Sequence, residues 1–185
     1  MRKLNILEMG RMNAEEFRQS RKMPLVVVLD DVRSMYNVGS VFRTADAFRV
    51  ESICLCGITA CPPHAEIHKT ALGAEDTVEW KHFDSTMEAV EALHDEGCYV
   101  FSIEQCEGST MLQTLPRELE NLINQKHYEK FAIIMGNEVK GVKQEVVDAS
   151  DGCLEIPQFG TKHSLNVSTT AGMVIWEFAK LLMVK

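Results

Sequence analysis

A valine-rich run, Pro-Leu-Val-Val-Val-Leu-Asp, occupies residues 24–30. A continuous apolar run of this length is typical of a strand that is buried on both faces of a parallel sheet. After this run, Asn37 precedes apolar residues that recur at helical spacing. We predict that Asn37 is the N-cap of a helix. The order strand, loop, helix indicates an opening βα unit. The predicted helix carries its apolar side chains at Val41, Phe42, Ala45 and Phe48.

The same alternation continues along the chain. Further strands are predicted at residues 52–56, 99–103 and 131–135, and further helices at 86–96 and about 165–183. Alternating strands and helices predict an α/β fold with a mostly parallel sheet and helices on both faces.

The length of 185 residues, with 45% hydrophobic and 25% charged residues, fits one globular domain. No apolar stretch reaches the ~18 residues of a membrane span, and the N-terminus lacks the apolar run of a signal peptide. We therefore expect a cytoplasmic protein that has no membrane partner and keeps its six cysteines reduced.

The charge is unevenly distributed. Residues 1–22 contain six basic and three acidic residues, although the whole chain has a net charge of −8. We therefore divide the chain into a basic N-terminal extension, residues 1–22, and a main domain, residues 23–185. Such a segment either contacts a polyanion such as RNA or is only the solvated face of a helix. The candidate phosphate contacts are Arg11, Arg18, Arg21 and Lys22.

Three junctions carry unusual polar residues, at positions where open α/β sheets bind ligands. We name the first of them motif I. It is Asn37-Val-Gly39-Ser-Val-Phe-Arg43, at the start of the first predicted helix. Its amide, its backbone N–H groups and its guanidinium favour an anion. The simpler interpretation is a capped helix with a surface arginine.

Motif II is residues 135–141, Met-Gly-Asn-Glu-Val-Lys-Gly, directly after a predicted strand. The glycine spacing is that of a phosphate-binding loop. However, Val142 and Lys143 replace the lysine and the hydroxyl residue that such a loop needs, which excludes a nucleoside triphosphatase. Gly136 still permits close approach of a ligand to the backbone, and Glu138 can orient a hydroxyl group. A tight turn is the alternative.

Motif III is residues 156–168, Ile-Pro-Gln-Phe-Gly-Thr-Lys-His-Ser-Leu-Asn-Val-Ser, a polar segment near the start of the last predicted helix. Ser164, Asn166 and Ser168 alternate with apolar residues. Their hydroxyl and carboxamide groups either cap the helix or hold a substrate hydroxyl and an adenosine.

In this order and spacing, the three motifs together resemble those of the SpoU (TrmH-type) branch of the SPOUT RNA 2′-O-ribose methyltransferases, over roughly residues 24–183. The resemblance implies a deep C-terminal trefoil knot, S-adenosylmethionine as the cofactor, and a homodimer whose site lies at the subunit interface. The implied reaction is methyl transfer to a ribose 2′-hydroxyl of RNA, with tRNA favoured over rRNA. A catalytically silent RNA-binding dimer of the same fold is the alternative.

The resemblance also implies roles for individual residues. Arg43 would activate the 2′-hydroxyl with the help of an RNA phosphate. Phosphate binding and charge stabilisation are an equal alternative, because a guanidinium is a poor base. Backbone groups of Gly136, Ile156 and Leu165 would hold the cofactor, with the loop after Ile103 closing one side. The residues that would hold Arg43 and the ribose are Asn37, Glu138, Ser164 and Asn166.

Two further patterns suggest other chemistry. A cysteine and histidine cluster raises zinc as an alternative, but its spacing lacks the second ligand pair of a zinc site, so we expect buried thiols and no metal. His163 is a weaker candidate for a general base than Arg43, because it adjoins Ser164 and neighbouring side chains point apart. The cluster comprises Cys54, Cys56, Cys61, His64 and His68.

Overall fold

The protein is built around a parallel sheet. In the residues described by a computed structural model, 1–5 and 7–184, seven strands form this sheet in the order β3-β2-β1-β6-β4-β7-β5. Every pairing between neighbouring strands is parallel, as the sequence predicted. In chain order the strands are β1 Met23–Asp30, β2 Val50–Cys56, β3 Glu79–Phe83, β4 Cys98–Ile103, β5 Thr110–Met111, β6 Lys130–Met135 and β7 Gly152–Glu155.

Helices cover both faces of the sheet, as predicted. The α-helices are α1 Ala14–Gln19, α2 Met35–Phe48, α3 Ala65–Ala71, α4 Thr86–Asp95, α5 Leu115–Asn124, α6 Gln144–Ala149 and α7 Val167–Leu182. Helices α2, α3, α5 and α7 contribute to the core on one face, whereas α4 and α6 contribute to the core on the other. No helix in the described part of the chain is long and apolar enough to cross a membrane.

The central strand β1 explains why the valine-rich run is continuous. Leu25, Val27 and Leu29 face the first core, and Val26 and Val28 face the second. Both sets of side chains are almost completely buried. A strand in this position needs apolar residues at every step, because neither face meets water.

The prediction that Asn37 caps helix α2 is wrong. The N-cap is Ser34, whose side chain accepts a hydrogen bond from the Asn37 backbone N–H at 3.3 Å. Asn37 is therefore the third residue of the helix, and its amide is free to contact another segment. Gly39 and Arg43 consequently lie in the second and third turns, not at the helix start.

The last helix begins later than predicted. Asn166 is its N-cap and accepts hydrogen bonds from the backbone N–H groups of Ser168 and Thr169. Leu165 therefore belongs to the preceding loop, not to the helix. The capping interpretation of motif III is thus confirmed for Asn166.

The basic extension folds back onto the main domain. Helix α1 has a capping box between Asn13 and Glu16, and its Phe17 is buried in the core, with 6% of its surface exposed. Lys22 donates to the Phe17 carbonyl and lies over the Phe17 ring. Arg18 donates to the Asp76 carbonyl at 3.2 Å. Two of the four candidate RNA contacts are therefore already held by the protein.

Candidate active site

An open cleft of about 630 Å³ lies at the carboxyl ends of β4, β6 and β7. This volume lies within the range of ligand pockets, and strand carboxyl ends are where open α/β sheets bind ligands. The cleft brings together all four residues that the sequence assigned to the cofactor, which come from three separate segments: Ile103, Gly136, Ile156 and Leu165.

Gly136 occupies a position that only glycine fits. A Cβ atom there would lie 2.2 Å from the Gly141 carbonyl carbon and from the Val142 nitrogen. The motif II loop closes this tightly because Asn137 and Gly141 exchange backbone hydrogen bonds of 3.0 and 2.9 Å. The side-chain amide of Asn137 also donates to the Asp31 carbonyl at 2.7 Å. The loop therefore forms a fixed wall of the cleft. A ligand can approach its backbone closely at Gly136, as predicted.

Sequence reasoning missed Glu104, a cleft residue directly after β4. Its carboxylate accepts from the Val142 backbone N–H at 3.0 Å and from the Gln105 backbone N–H at 2.8 Å. Gly141 has a φ of +68°, and a Cβ there would lie 2.0 Å from the Glu104 carboxylate. Glu104 thus braces motif II against β4. A single acidic residue after a strand gives no sequence signal for this role.

Glu138 joins motif II to motif I. Its carboxylate accepts from the backbone N–H groups of Arg33 and Ser34 at 3.1 and 3.0 Å, and from the side-chain amide of Asn37 at 3.1 Å. The carboxylate lies at the N-terminus of α2, where the helix dipole favours negative charge. Two of the residues that the sequence proposed for one site are therefore in direct contact.

Asn166 joins motif III to the same group. Its side-chain N–H donates to the Asn37 side-chain oxygen at 3.1 Å. The Ser168 hydroxyl contacts the side-chain oxygens of Asn166 and Asn37 at 2.6 and 3.4 Å. We call Asn37, Glu138, Asn166 and Ser168 the motif network. Ser168 belongs to motif III, but the motif pattern gives it no catalytic role.

The contacts of Glu138 make it a poor proton acceptor. Partial burial opposes ionisation of this carboxyl, but the hydrogen bonds from Arg33, Ser34 and Asn37 outweigh it and lower the pKa of Glu138 below its usual value. A general base works best with a pKa near the operating pH. Glu138 is therefore a weak candidate for a general base, and its hydrogen bonds hold the start of α2 against motif II.

Arg43 lies apart from the motif network. It is exposed and lies six residues after Asn37 on α2, which places it about 9 Å along the helix axis and about 120° around it. None of the described residues forms a hydrogen bond or ion pair with its side chain. The expected contact between Arg43 and Asn37, Glu138 or Asn166 is therefore absent within the described part of one chain. Ser164 and His163 line the cleft but lie outside the motif network.

The cysteine and histidine cluster is dispersed in the fold. Cys54 and Cys56 point to the same side of β2 and are buried in the second core, as predicted. Burial raises the pKa of both thiols to about 12. His68 instead pairs with Glu75 at 2.5 Å. Within the described residues, no three His, Cys, Asp or Glu side chains converge as metal ligands would.

Proteins with similar sequences are RNA methyltransferases by name. A 23S rRNA (guanosine-2′-O-)-methyltransferase from Neisseria meningitidis is 28% identical over 163 residues, which are 88% of this chain and 60% of that protein. A protein of the same name from Nitrosomonas europaea is 30% identical over 83% of this chain and 55% of its own length. The chain thus spans 55% to 60% of the length of these curated relatives.

Solved structures agree on the fold. An AdoMet-bound rRNA methyltransferase from Sinorhizobium meliloti has a TM-score of 0.76 at 24% identity, covering 91% of this chain and 61% of that one. A TrmH/SpoU tRNA modifying enzyme from A. aeolicus has a TM-score of 0.75 at 22% identity, covering 91% of this chain and 80% of that one.

The SpoU rRNA Methylase family profile matches residues 24–176, a span that contains motifs I and II, all of motif III and the motif network. This span is most of the chain, and it begins at the second residue of the first strand, β1. The chain belongs to the SpoU rRNA methylase family.

Proposed function

We propose that the protein transfers a methyl group from S-adenosylmethionine to a ribose 2′-hydroxyl of RNA. The observation that carries the proposal is the motif network. Glu138, Asn37 and Asn166 connect motifs II, I and III beside a cleft that contains every residue assigned to the cofactor. Three segments from distant parts of the chain converge on one site, which favours a ligand-binding role over separate turns and caps.

The cleft fits S-adenosylmethionine in size and chemistry. Ile103, Ile156 and Leu165 supply apolar surface suited to an adenine ring, and Gly136 leaves backbone groups accessible. The carboxylates of Glu104 and Glu155 also line the cleft and favour a positively charged ligand. The bound cofactor would supply a methyl group that is attached to a positively charged sulfonium sulfur. When the methyl group is transferred, the electron pair of the sulfur–carbon bond stays on the sulfur.

The remaining requirement is to align the attacking ribose oxygen and to handle its proton. Asn166 lines the cleft, and Asn37 holds its side-chain amide, whose second N–H can contact a ribose. Arg43 would bind an RNA phosphate and stabilise the negative charge that develops on the oxygen, because a guanidinium is a permanent cation. As the oxygen–methyl bond forms and the sulfur–methyl bond breaks, the hydroxyl proton would pass to water in the open cleft.

We propose that a homodimer brings Arg43 of one subunit to the motif network of the other. Helices α2 and α7 lie side by side, with Phe48 and Trp176 in ring contact at 5.7 Å. Their outer faces expose Tyr36 on α2, and Met173 and Trp176 on α7, although these side chains are large and apolar. Arg43 lies on the same outer stripe of α2 as Tyr36. A second copy packed on this face would direct each Arg43 toward the site of its partner.

We also propose that the C-terminal part of the chain forms the trefoil knot that the family resemblance implies. The loop after β4 and the motif III segment are in contact, since the Gln105 side chain donates to the His163 carbonyl at 3.2 Å. The Glu104 backbone N–H donates to the Leu154 carbonyl at 3.1 Å. These contacts bring together the two segments that would have to thread past each other.

Ribosomal RNA is the first substrate to test. The resemblance to the family favours tRNA, but the names of the curated relatives favour rRNA. The silent RNA-binding dimer remains the second candidate. Every residue that the resemblance assigns to catalysis is present in this chain, which favours the enzyme.

Two measurements on the purified protein test the proposal. Isothermal titration with S-adenosylmethionine should show one site per chain, and incubation with methyl-labelled cofactor and unmodified rRNA should label the RNA. Arg43→Ala should keep the cofactor affinity and lose the labelling. Cofactor binding without labelling of any rRNA or tRNA would favour the silent dimer, and absence of cofactor binding would refute the proposal.

A further inference from the structure

Phe159 is an exposed aromatic residue beside the cleft. It lies in the loop between β7 and α7, and 95% of its surface is exposed. Gln158, directly before it, and His163, four residues after it, line the cleft, whereas Phe159 does not. Its ring is therefore presented outward at the rim of the cleft and does not fill the cofactor space.

The loop that carries Phe159 is basic, whereas the carboxylates of Glu104 and Glu155 line the cleft itself. Residues 156–166 contain Lys162 and His163 and no acidic residue, in a chain with a net charge of −8. Lys140, on the motif II side of the same cleft, is also exposed. An exposed aromatic ring on a loop that also carries basic side chains is a combination that binds single-stranded nucleic acid, because the ring stacks on bases and the cations contact phosphates.

We propose that Phe159 stacks on a nucleobase of the RNA at or next to the methylated nucleotide. The inference rests on the proposed function. A ribose that enters the site carries its base with it, so that base must lie within a few ångströms of the cleft rim. Stacking on the outward ring requires the base to be unpaired. The substrate class is therefore RNA in which the target lies in a loop, bulge or single strand.

Single-stranded probes separate base stacking from backbone contact. The probes are fluorescent oligoadenylate RNA of about 12 nucleotides and an abasic ribose-phosphate chain of the same length. The protein variants are Phe159→Leu, which keeps apolar bulk but has no ring, and Phe159→Trp, which keeps a ring. Ile123→Ala on α5 is the matched control, because Ile123 is also an exposed apolar residue but lies outside the cleft.

The wild-type protein should bind oligoadenylate about tenfold more tightly than the abasic chain. Phe159→Leu should remove this difference without changing the affinity for the abasic chain, whereas Phe159→Trp and Ile123→Ala should keep it. Equal affinities of the wild-type protein for the two probes, or an unchanged preference in Phe159→Leu, would overturn the inference.

Two controls identify other occupants of this position. If Phe159→Leu shifts the protein toward monomers in sedimentation, the ring belongs to a subunit interface and the inference is wrong. If Phe159→Leu weakens S-adenosylmethionine binding, the ring covers the cofactor and the inference is equally wrong. Failure of the proposed function is seen separately, as absence of cofactor binding by the wild-type protein, while the comparison of the two RNA probes can still be read.

Discussion

The side-chain amide of Asn166 donates a hydrogen bond to the side-chain oxygen of Asn37, 129 positions earlier in the chain. The orientation of both amides is determined by their other partners. Glu138 can only accept, so the Asn37 N–H group must face it and the Asn37 oxygen must face Asn166. The Asn166 oxygen is then left to cap α7. The start of the last helix is thus linked to the second helix through one defined arrangement of donors and acceptors.

The variant Asn166→Asp keeps the cap of α7 but removes the hydrogen bond to Asn37. Aspartate caps helices as well as asparagine does, so the unfolding free energy should change by less than about 1 kcal/mol. The variant loses the donor to Asn37 and places a carboxylate against the Asn37 oxygen, and turnover should fall about tenfold or more. Denaturation and single-turnover methylation check the two effects. Ser85→Ala, which removes the cap of α4, is the control and should cost stability but not turnover.

Glu138→Gln should destabilise the protein in a pH-dependent manner. The folded pKa of Glu138 lies below its usual value, so the contribution of the carboxylate is fully present above the unfolded pKa and is lost as the pH falls through the folded pKa. We expect a loss of about 1 kcal/mol at pH 7, since the side chain is partly exposed. Urea denaturation should show the difference from wild type shrinking between about pH 5 and pH 3. A constant difference would contradict the assigned role.

Gly136→Ala should disrupt the motif II wall of the cleft. The added methyl group would meet backbone atoms of Gly141 and Val142 at 2.2 Å, and backbone cannot move aside as a flexible side chain can. We expect a stability loss of about 2 kcal/mol or more and no measurable binding of S-adenosylmethionine. Gly172→Ala on α7 meets no atom within 4 Å and should leave stability equal or slightly higher. Normal cofactor binding by Gly136→Ala would remove motif II from the site.

The sequence predicted the sheet better than it predicted the site. Strands such as β1 and β6 are apolar at nearly every position, so local pattern and tertiary burial agree. Strand β3 was missed because it lies at the sheet edge, where its residues are exposed or only partly buried and carry no apolar pattern. The two-residue strand β5 is too short to have a period.

The misplaced helix start at Asn37 has a similar cause. Ser34 and Asn37 are both good N-cap residues, and the sequence does not tell which of them caps and which contacts a distant carboxylate. The deciding partner, Glu138, lies 101 positions away. Hydrogen bonds between residues far apart in the sequence depend on the tertiary fold and leave no local pattern. The bond between Glu104 and Val142 is a second example.

The basic extension should contribute to RNA binding through only part of its charge. Lys22 and Arg18 are engaged within the protein, whereas Arg11 and Arg21 are exposed and form no hydrogen bond or ion pair with another described residue. Each phosphate contact steepens the log–log salt dependence of binding by about 0.9. Arg11→Gln with Arg21→Gln should therefore flatten the slope by nearly two and leave cofactor binding unchanged. An unchanged slope would show that the extension does not contact RNA.

Mixed dimers test whether Arg43 acts across the subunit interface. Arg43→Ala and Asn166→Asp should each be nearly inactive alone. If each site combines the motif network of one subunit with the Arg43 of the other, half of the randomly mixed dimers contain one intact site. Equal mixing after subunit exchange should then restore about a quarter of the wild-type rate. No gain of activity in a mixture that is shown to contain mixed dimers would place Arg43 and the motif network in the same subunit.

The position of the transferred methyl group tests the central claim most directly. Unmodified rRNA is incubated with the protein and S-adenosylmethionine carrying a heavy methyl group, digested to nucleosides, and analysed by mass spectrometry. The account predicts heavy 2′-O-methyl nucleosides whose fragmentation leaves an unlabelled base, at a level that Arg43→Ala abolishes. A label found on a base, or no label in any RNA offered to a protein that binds the cofactor, would contradict it.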